Sequence, residues 1–241
     1  MSEDLAATLL LELRLRAFAP TDVLAAAAGV SPTVVASALG VYESEHWVQR
    51  RDGRVVGWSL TAAGRRHGRD LLVSELAAAD ATDAVADAYL DFLPLNAELL
   101  SICTDWQVVV VDGEHTLNDH GDAARDVAVI GRLGRLQPKA IAITDGLARR
   151  SRRFSRYGPR LTESYDHVVA GRTEWLTRAS GSSYHGVWFE LHEHLLTVLG
   201  YERHREPVPV HTPTNVPTPG GGSNHDPAPG DPRDPQDGDN P

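Results

Sequence analysis

The sequence predicts a mainly α-helical protein whose N-terminal unit is closed by a two-stranded hairpin. Three observations carry that reading. Apolar residues recur at three- and four-residue spacing along most of the chain, the mark of helices with one buried face. Strand-like runs flank Asp52-Gly53, a strong hairpin-turn pair. From Glu206 the periodicity stops. Pro, Gly, Asp and Asn dominate to Pro241 without one aromatic residue, the composition of a disordered acidic tail.

The elements follow in order. Residues 2–18 form an amphipathic helix, with Leu5, Leu9 and Leu13 on one stripe and Leu10 and Leu11 widening it. That face is broader than one neighbour needs, so a dimer contact stands beside the simpler reading of a first core helix. Thr21 or Asp22 caps a second helix through Ala25–Ala28, and Gly29 ends it by tolerating a left-handed backbone. Ser31-Pro32 starts a third, with Val35, Ala38, Leu39 and Tyr42 facing inward. Trp47–Arg50 and Val55–Leu60 are the strands around the Asp-Gly tip, and Thr61 caps a helix to about Ala79.

Two helices, a tight turn, a hairpin and a new helix make a winged helix-turn-helix. The segments AGVSPTVVASAL, RRDGR and SLTAAGRR resemble the winged-helix domains of MarR-like bacterial transcriptional regulators over roughly the first 75 residues. The resemblance implies that the helix starting at Ser31 enters a DNA major groove with Thr33, Val34 and Ser37 outward. It also implies that Arg50, Arg51 and Arg54 on the wing meet phosphates or the minor groove, with Arg65 just beyond. Between Gln49 and Arg69 there are six arginines and one acidic residue, Asp52, although the first seventy residues are neutral by side-chain count. Such concentration is the electrostatic footprint of a DNA reader. The sequence departs from the pattern in three ways. The outward helix positions carry no Arg, Lys, Asn or Gln, and Glu43 and Glu45 add negative charge. His46 stands where such domains usually place glycine between helix and strand.

Composition bounds the rest. The net charge is −10, but the acidic excess lies outside the first seventy residues. One cysteine, Cys103, excludes an intramolecular disulfide and a multi-thiolate metal site. No N-terminal apolar segment of leader type and no 18-residue apolar run occurs, so the expectation is a cytoplasmic protein with no membrane contact.

The chain divides into a DNA-binding domain at 1–74, an α-helical effector or dimerisation domain at 75–203 and the disordered tail at 204–241. In the second part, Thr82 is read as a cap and Pro94 as a break before a helix over 95–106. Gln107–Val111 is a short strand or extended loop turned by Asp112-Gly113. The polar run Asn118–Asp122 caps a helix bearing Val127, Ile130 and Leu133, which Pro138 reopens or kinks. Arg149–Arg156 (RRSRRFSR) is read as a solvated helix end, with a nucleic-acid or anion contact as the alternative. Tyr157-Gly158-Pro159 is read as a turn before a helix over Arg160–Ala170. Residues 183–199 form the last helix, between a serine cap and Gly200.

Three clusters offer pocket chemistry: Cys103, Asp105 and Trp106; Asn118, Asp119 and His120; and Tyr184, His185, Trp188 and His192. An aromatic wall with a few polar anchors suits a small-molecule effector, for which Trp106, His120, Tyr184, His185, Trp188 and His192 are the candidates. A metal held by His120, His185 and His192 with Asp105 or Asp119 is the weaker alternative, and core packing the plainest one. No cofactor is expected. No nucleophile elbow, phosphate loop or HExxH helix is present, so an enzyme is not expected either. The sequence therefore reads as a homodimeric, ligand-responsive regulator of double-stranded DNA. The alternative is an accessory subunit whose winged helix binds a protein partner.

Overall fold

A computed structural model describes residues 2–178 and 182–201 of the chain. The structure is mainly helical. Helix α1 (Glu3–Arg16) is followed by α2 (Thr21–Ala28) and α3 (Pro32–Ser44). Strands β1 (Val48–Arg51) and β2 (Gly57–Leu60) pair antiparallel and lead into α4 (Ala62–Ala78). Then come α5 (Thr82–Gln107), a second antiparallel pair β3 (Val108–Val111) and β4 (Glu114–Leu117), α6 (Ala123–Arg150), α7 (Tyr157–Val169) and α8 (Tyr184–Val198). The tail expected from 204 lies outside the described residues.

Two apolar clusters form the interior, and α1 serves both. Leu9, Leu10 and Leu13 pack with Leu24, Val35, Leu39, Val48 and Leu60, while Ala7 and Leu11 join the cluster of α4 to α8. The wide apolar face of α1 is thus covered from within the chain. No single helix among the described residues is long and apolar enough to cross a membrane.

Several local expectations need correcting. Pro94 does not break a helix and Pro138 does not reopen one: α5 and α6 run through them. Both prolines are exposed, and Leu90, whose carbonyl loses its helical donor to Pro94, is 60% exposed. Water can take that bond, so the lost hydrogen bond costs little beside the packing of α5 along α6. Tyr157-Gly158-Pro159 is no turn but the first turn of α7, where proline fits because its missing N–H has no helical acceptor. Val127 points outward at 70% exposure, and Val129 takes the core position instead. Thr21 and Thr82 do not cap: Pro20 and Ala81 hold those positions with no side-chain bond.

The Asp-Gly pairs of the two hairpins, Asp52-Gly53 and Asp112-Gly113, behave differently. Asp112 and Gly113 both have positive φ (54° and 84°) and close a two-residue turn between Val111 and Glu114. β4, fully exposed and without apolar alternation, gave no sequence signal. The first hairpin instead keeps residues 52–56 as a loop, so Val55 and Val56 are exposed and unpaired. Trp58 sets that register, exchanging both backbone hydrogen bonds with Ala19 (3.0 and 2.9 Å). Gly57 lets the strand pass the Phe18 ring, which a Cβ there would meet at 2.4 Å.

Candidate nucleic-acid interface

The N-terminal elements are built around α3. Gly29 ends α2 with φ +66°, Ser31 Oγ accepts the Val34 N–H at 3.4 Å, and α2 and α3 are bent by 110° at their break. Val35, Ala38, Leu39 and Tyr42 are buried, as their spacing requires. Ser31, Thr33, Val34 and Ser37 are exposed along the opposite side.

The turn into the hairpin is fixed by three contacts. His46 takes φ +58°, the left-handed value that glycine adopts most readily. Thr61 Oγ1 donates to the His46 carbonyl at 2.6 Å while accepting the Gly64 N–H at 3.0 Å, so one side chain caps α4 and holds the turn. Trp58 Nε1 donates to Thr21 Oγ1 at 3.1 Å, tying the hairpin to the start of α2.

The arginines differ in freedom. Arg51 and Arg54 are exposed, and Arg51 makes only a long contact to Ser59 Oγ at 3.4 Å. Arg50 pairs with Asp52 at 3.0 Å, a surface pair of small strength that a phosphate can replace. Arg65 donates to the Leu60 carbonyl at 3.1 Å, which draws it toward the strand end. Glu43 accepts the Arg50 backbone N–H at 3.4 Å, bringing one carboxylate of α3 to the base of the hairpin.

The basic run 149–156 is a solvated helix end in its first two arginines only, and the rest is not a free anion contact. Arg149 and Arg150 are exposed, but the next three arginines bind carboxylates of other helices. Arg152 and Arg153 meet Asp4 at 2.8 and 2.6 Å, and Arg153, 8% exposed, also grips Glu75 at 2.7 Å. Arg156 pairs with the buried Glu12 and, at 3.5 Å, with Glu190, which Arg160 also holds at 2.6 Å. Nothing in the local sequence marks most of these four carboxylates as partners. Glu12, the one acid in the run LLLELRL, carries the one usable signal: an acid on a buried face needs a cation.

The effector candidates separate into two groups. The rings of Trp106 and His120 meet at 4.3 Å in a tilted pair, and His120 Nδ1 lies 3.0 Å from Asp126 Oδ2 and 3.2 Å from Asn118 Nδ2. They line an open cavity of about 390 Å³ with Val108, Leu117 and Thr177. Tyr184, Trp188 and His192 instead lie inside the core. The Tyr184 hydroxyl donates to Gln137 Oε1 at 2.7 Å, Trp188 Nε1 donates to Asn96 Oδ1 at 3.0 Å, and Phe92 stacks on Trp188 and meets His192 at a tilt. Those three are packing residues, and the polar tips of Tyr184 and Trp188 are satisfied. His185 is half-buried, and burial lowers its pKa. Asp105 is engaged by Arg132, and the described residues contain no group of three or more His, Cys, Asp or Glu able to hold a metal ion.

His194 is a titratable group strongly altered by the fold. It is fully buried, stacked on Phe154 at 4.2 Å, with Nδ1 3.1 Å from the Tyr157 hydroxyl. Burial, reinforced by Arg156 and Arg153, pulls its pKa from 6.5 down to about 3. Between those values the unfolded chain binds a proton that the folded chain refuses. This group therefore costs nothing above pH 6.5, and stability falls by up to about 1.4 kcal/mol per unit below it. Urea melts should show the wild type losing about 2 kcal/mol more than His194→Gln between pH 7 and pH 5. Equal losses would mean that the imidazole is not buried neutral.

Comparisons with protein-family models, with curated proteins and with solved structures found no match for this chain.

Proposed function

We propose that residues up to α4 form a winged helix-turn-helix and that the protein is a dimeric, cytoplasmic, ligand-responsive regulator that binds double-stranded DNA. What supports this is the pairing of a capped helix, exposed along Ser31, Thr33, Val34 and Ser37, with a hairpin carrying exposed Arg50, Arg51 and Arg54. A recognition helix beside a cationic loop is a geometry that suits a duplex: the helix reads base edges and the arginines fix register on the backbone. Small residues on the helix leave specificity to van der Waals contact with thymine methyls, Ser/Thr hydrogen bonds and groove shape.

The test is a salt titration of duplex binding by fluorescence anisotropy. Replacing Arg51 and Arg54 together with Ala should weaken binding to every sequence alike, roughly tenfold or more at low salt. It should also flatten the slope of log K against log salt by about 2, near 0.9 per lost phosphate contact. An unchanged slope removes the hairpin from the interface.

A second reading rests on a specific observation. Val34, Val41, Val55 and Val56 are 46–56% exposed on α3 and the hairpin loop, and Glu43 stands beside Arg50. Exposed valines with mixed charge suit a protein partner as well. Absence of any low-salt duplex affinity in the same titration selects that reading.

A further inference from the structure

From Ser31 to Tyr42 the chain carries no charged residue. Down the middle of the exposed side of α3 run Thr33, Ser37, Gly40 and Ser44, none larger than threonine. Gly40 has nothing within 4 Å of where a Cβ would stand. Ser44 turns its hydroxyl back to the Val41 carbonyl at 2.7 Å, so its proton is not offered outward. Val34 and Val41, 46% and 47% exposed, border this strip on one helical face, seven residues or about 10 Å apart. The exposed Arg50, Arg51 and Arg54 of the hairpin supply the positive charge that this side of α3 lacks.

We propose, resting on the reading of α3 as the helix in the major groove, that it selects duplexes by the 5-methyl groups of their pyrimidines. A long forked side chain specifies a base by reaching its hydrogen-bonding edge, and the exposed middle of α3 carries none. A strip of small residues instead lets the helix backbone come close to the base edges. The groups then within reach of short side chains are the methyls that project into the groove from thymine. Val34, Val41 and the Thr33 methyl meet them by apolar contact, which removes both surfaces from water. Such contact reads the methyl and not the hydrogen-bonding pattern of its base, so 5-methylcytosine serves as well as thymine. The hydroxyls of Thr33 and Ser37 donate or accept and suit either base pair. The hairpin arginines hold every duplex alike, and methyl selection is added to that term.

Fluorescence anisotropy of the full chain at low salt, with two matched pairs of duplexes of about 24 base pairs, tests it. The first pair is a non-repeating A·T duplex and the same duplex with uracil for every thymine. The second is a G·C duplex with cytosine or with 5-methylcytosine throughout. Within each pair only the methyl differs. The methylated member should bind about tenfold tighter in both pairs, roughly threefold for each of two buried methyl groups. Val34→Ala with Val41→Ala changes exposed helix positions to the better helix former, so the double variant should melt no lower than the wild type. It should cut the preference in each pair to about twofold or less while keeping the salt slope that the arginines set. A preference in only one pair, in neither, or one that survives the loss of both valines overturns the proposal and leaves duplex binding by α3 and the hairpin standing. No binding to any of the four duplexes overturns the DNA reading with it and selects a protein partner for the valines.

Discussion

Gly64→Ala should destabilise the protein by about 3 kcal/mol, although alanine is the better helix former. Gly64 lies in the first turn of α4, buried, with its N–H bonded to Thr61 Oγ1. A Cβ there would sit 1.9 Å from the Trp47 carbonyl oxygen and 2.7 Å from its carbon. Both are backbone atoms, and they cannot yield by a rotamer change. The same carbonyl accepts the Thr61 N–H at 3.0 Å, and His46 just before it already occupies a left-handed conformation. Relief therefore requires moving the start of α4 or the entry to β1, and either shift disturbs the hairpin. Helix propensity favours Ala by about 1 kcal/mol, so overpacking wins. At this chain length the loss corresponds to a fall in Tm of roughly 6–12 °C. Gly40→Ala is the control. It sits in exposed α3 with nothing within 4 Å of the new Cβ, and it should hold or slightly raise Tm. A thermal melt of Gly64→Ala matching the wild type would mean that α4 does not press on the turn.

Periodicity and capping chemistry made much of the N-terminal half legible. Ser31 and Thr61 cap where a hydroxyl precedes an apolar rhythm, Gly29 ends α2, and Val35, Ala38, Leu39 and Tyr42 are buried as a set. Those features depend on neighbours within four residues. What was illegible depends on distant ones. Pro94 and Pro138 look like breaks until the long contact of α5 with α6 is known to hold both helices. Val55 and Val56 read as strand until the Trp58–Ala19 bridge fixes the register three residues further on. The candidate site divides in the same way. The exposed residues of α3 and the hairpin could be named in advance, because exposure follows from the periodicity of their own element. Tyr184, Trp188 and His192 could not be separated from a ligand wall, because an aromatic helix face looks the same whether a core or a ligand covers it. The arginines of 149–156 carry no mark of their partners, which lie 34 to 149 residues away.

Those partners give the second large effect. Glu12→Ala should cost about 3 kcal/mol, read from the urea midpoint. The Glu12 side chain is 2% exposed and holds Arg156 and Arg16 at once, the latter at 3.1 Å. Removing it leaves Arg156 with the longer contact to the Glu190 carboxylate and the Tyr157 ring face, and takes a side chain from the buried side of α1. Breaking one side of a fully buried pair costs 3–5 kcal/mol, and the 29% and 33% exposure of the two arginine side chains places this case near the lower end. Glu12→Gln keeps the shape and one hydrogen bond, and should cost about half as much. Replacing both Glu12 and Arg156 with Met should recover most of the loss, since Glu190 still has Arg160 and the apolar stems fill the gap. That pattern would show that the pair fixes geometry more than it adds stability. The geometry is the rotation of α1 about its own axis. With Leu9 and Leu13 in one cluster and Ala7 and Leu11 in the other, a turned α1 would displace both interiors at once. The double variant should accordingly melt near wild type yet show faster amide exchange along α1, because packing alone tolerates a looser angle. A loss below about 1 kcal/mol for Glu12→Ala would mean that the pair is open in solution, and α1 would then be held by its leucines alone.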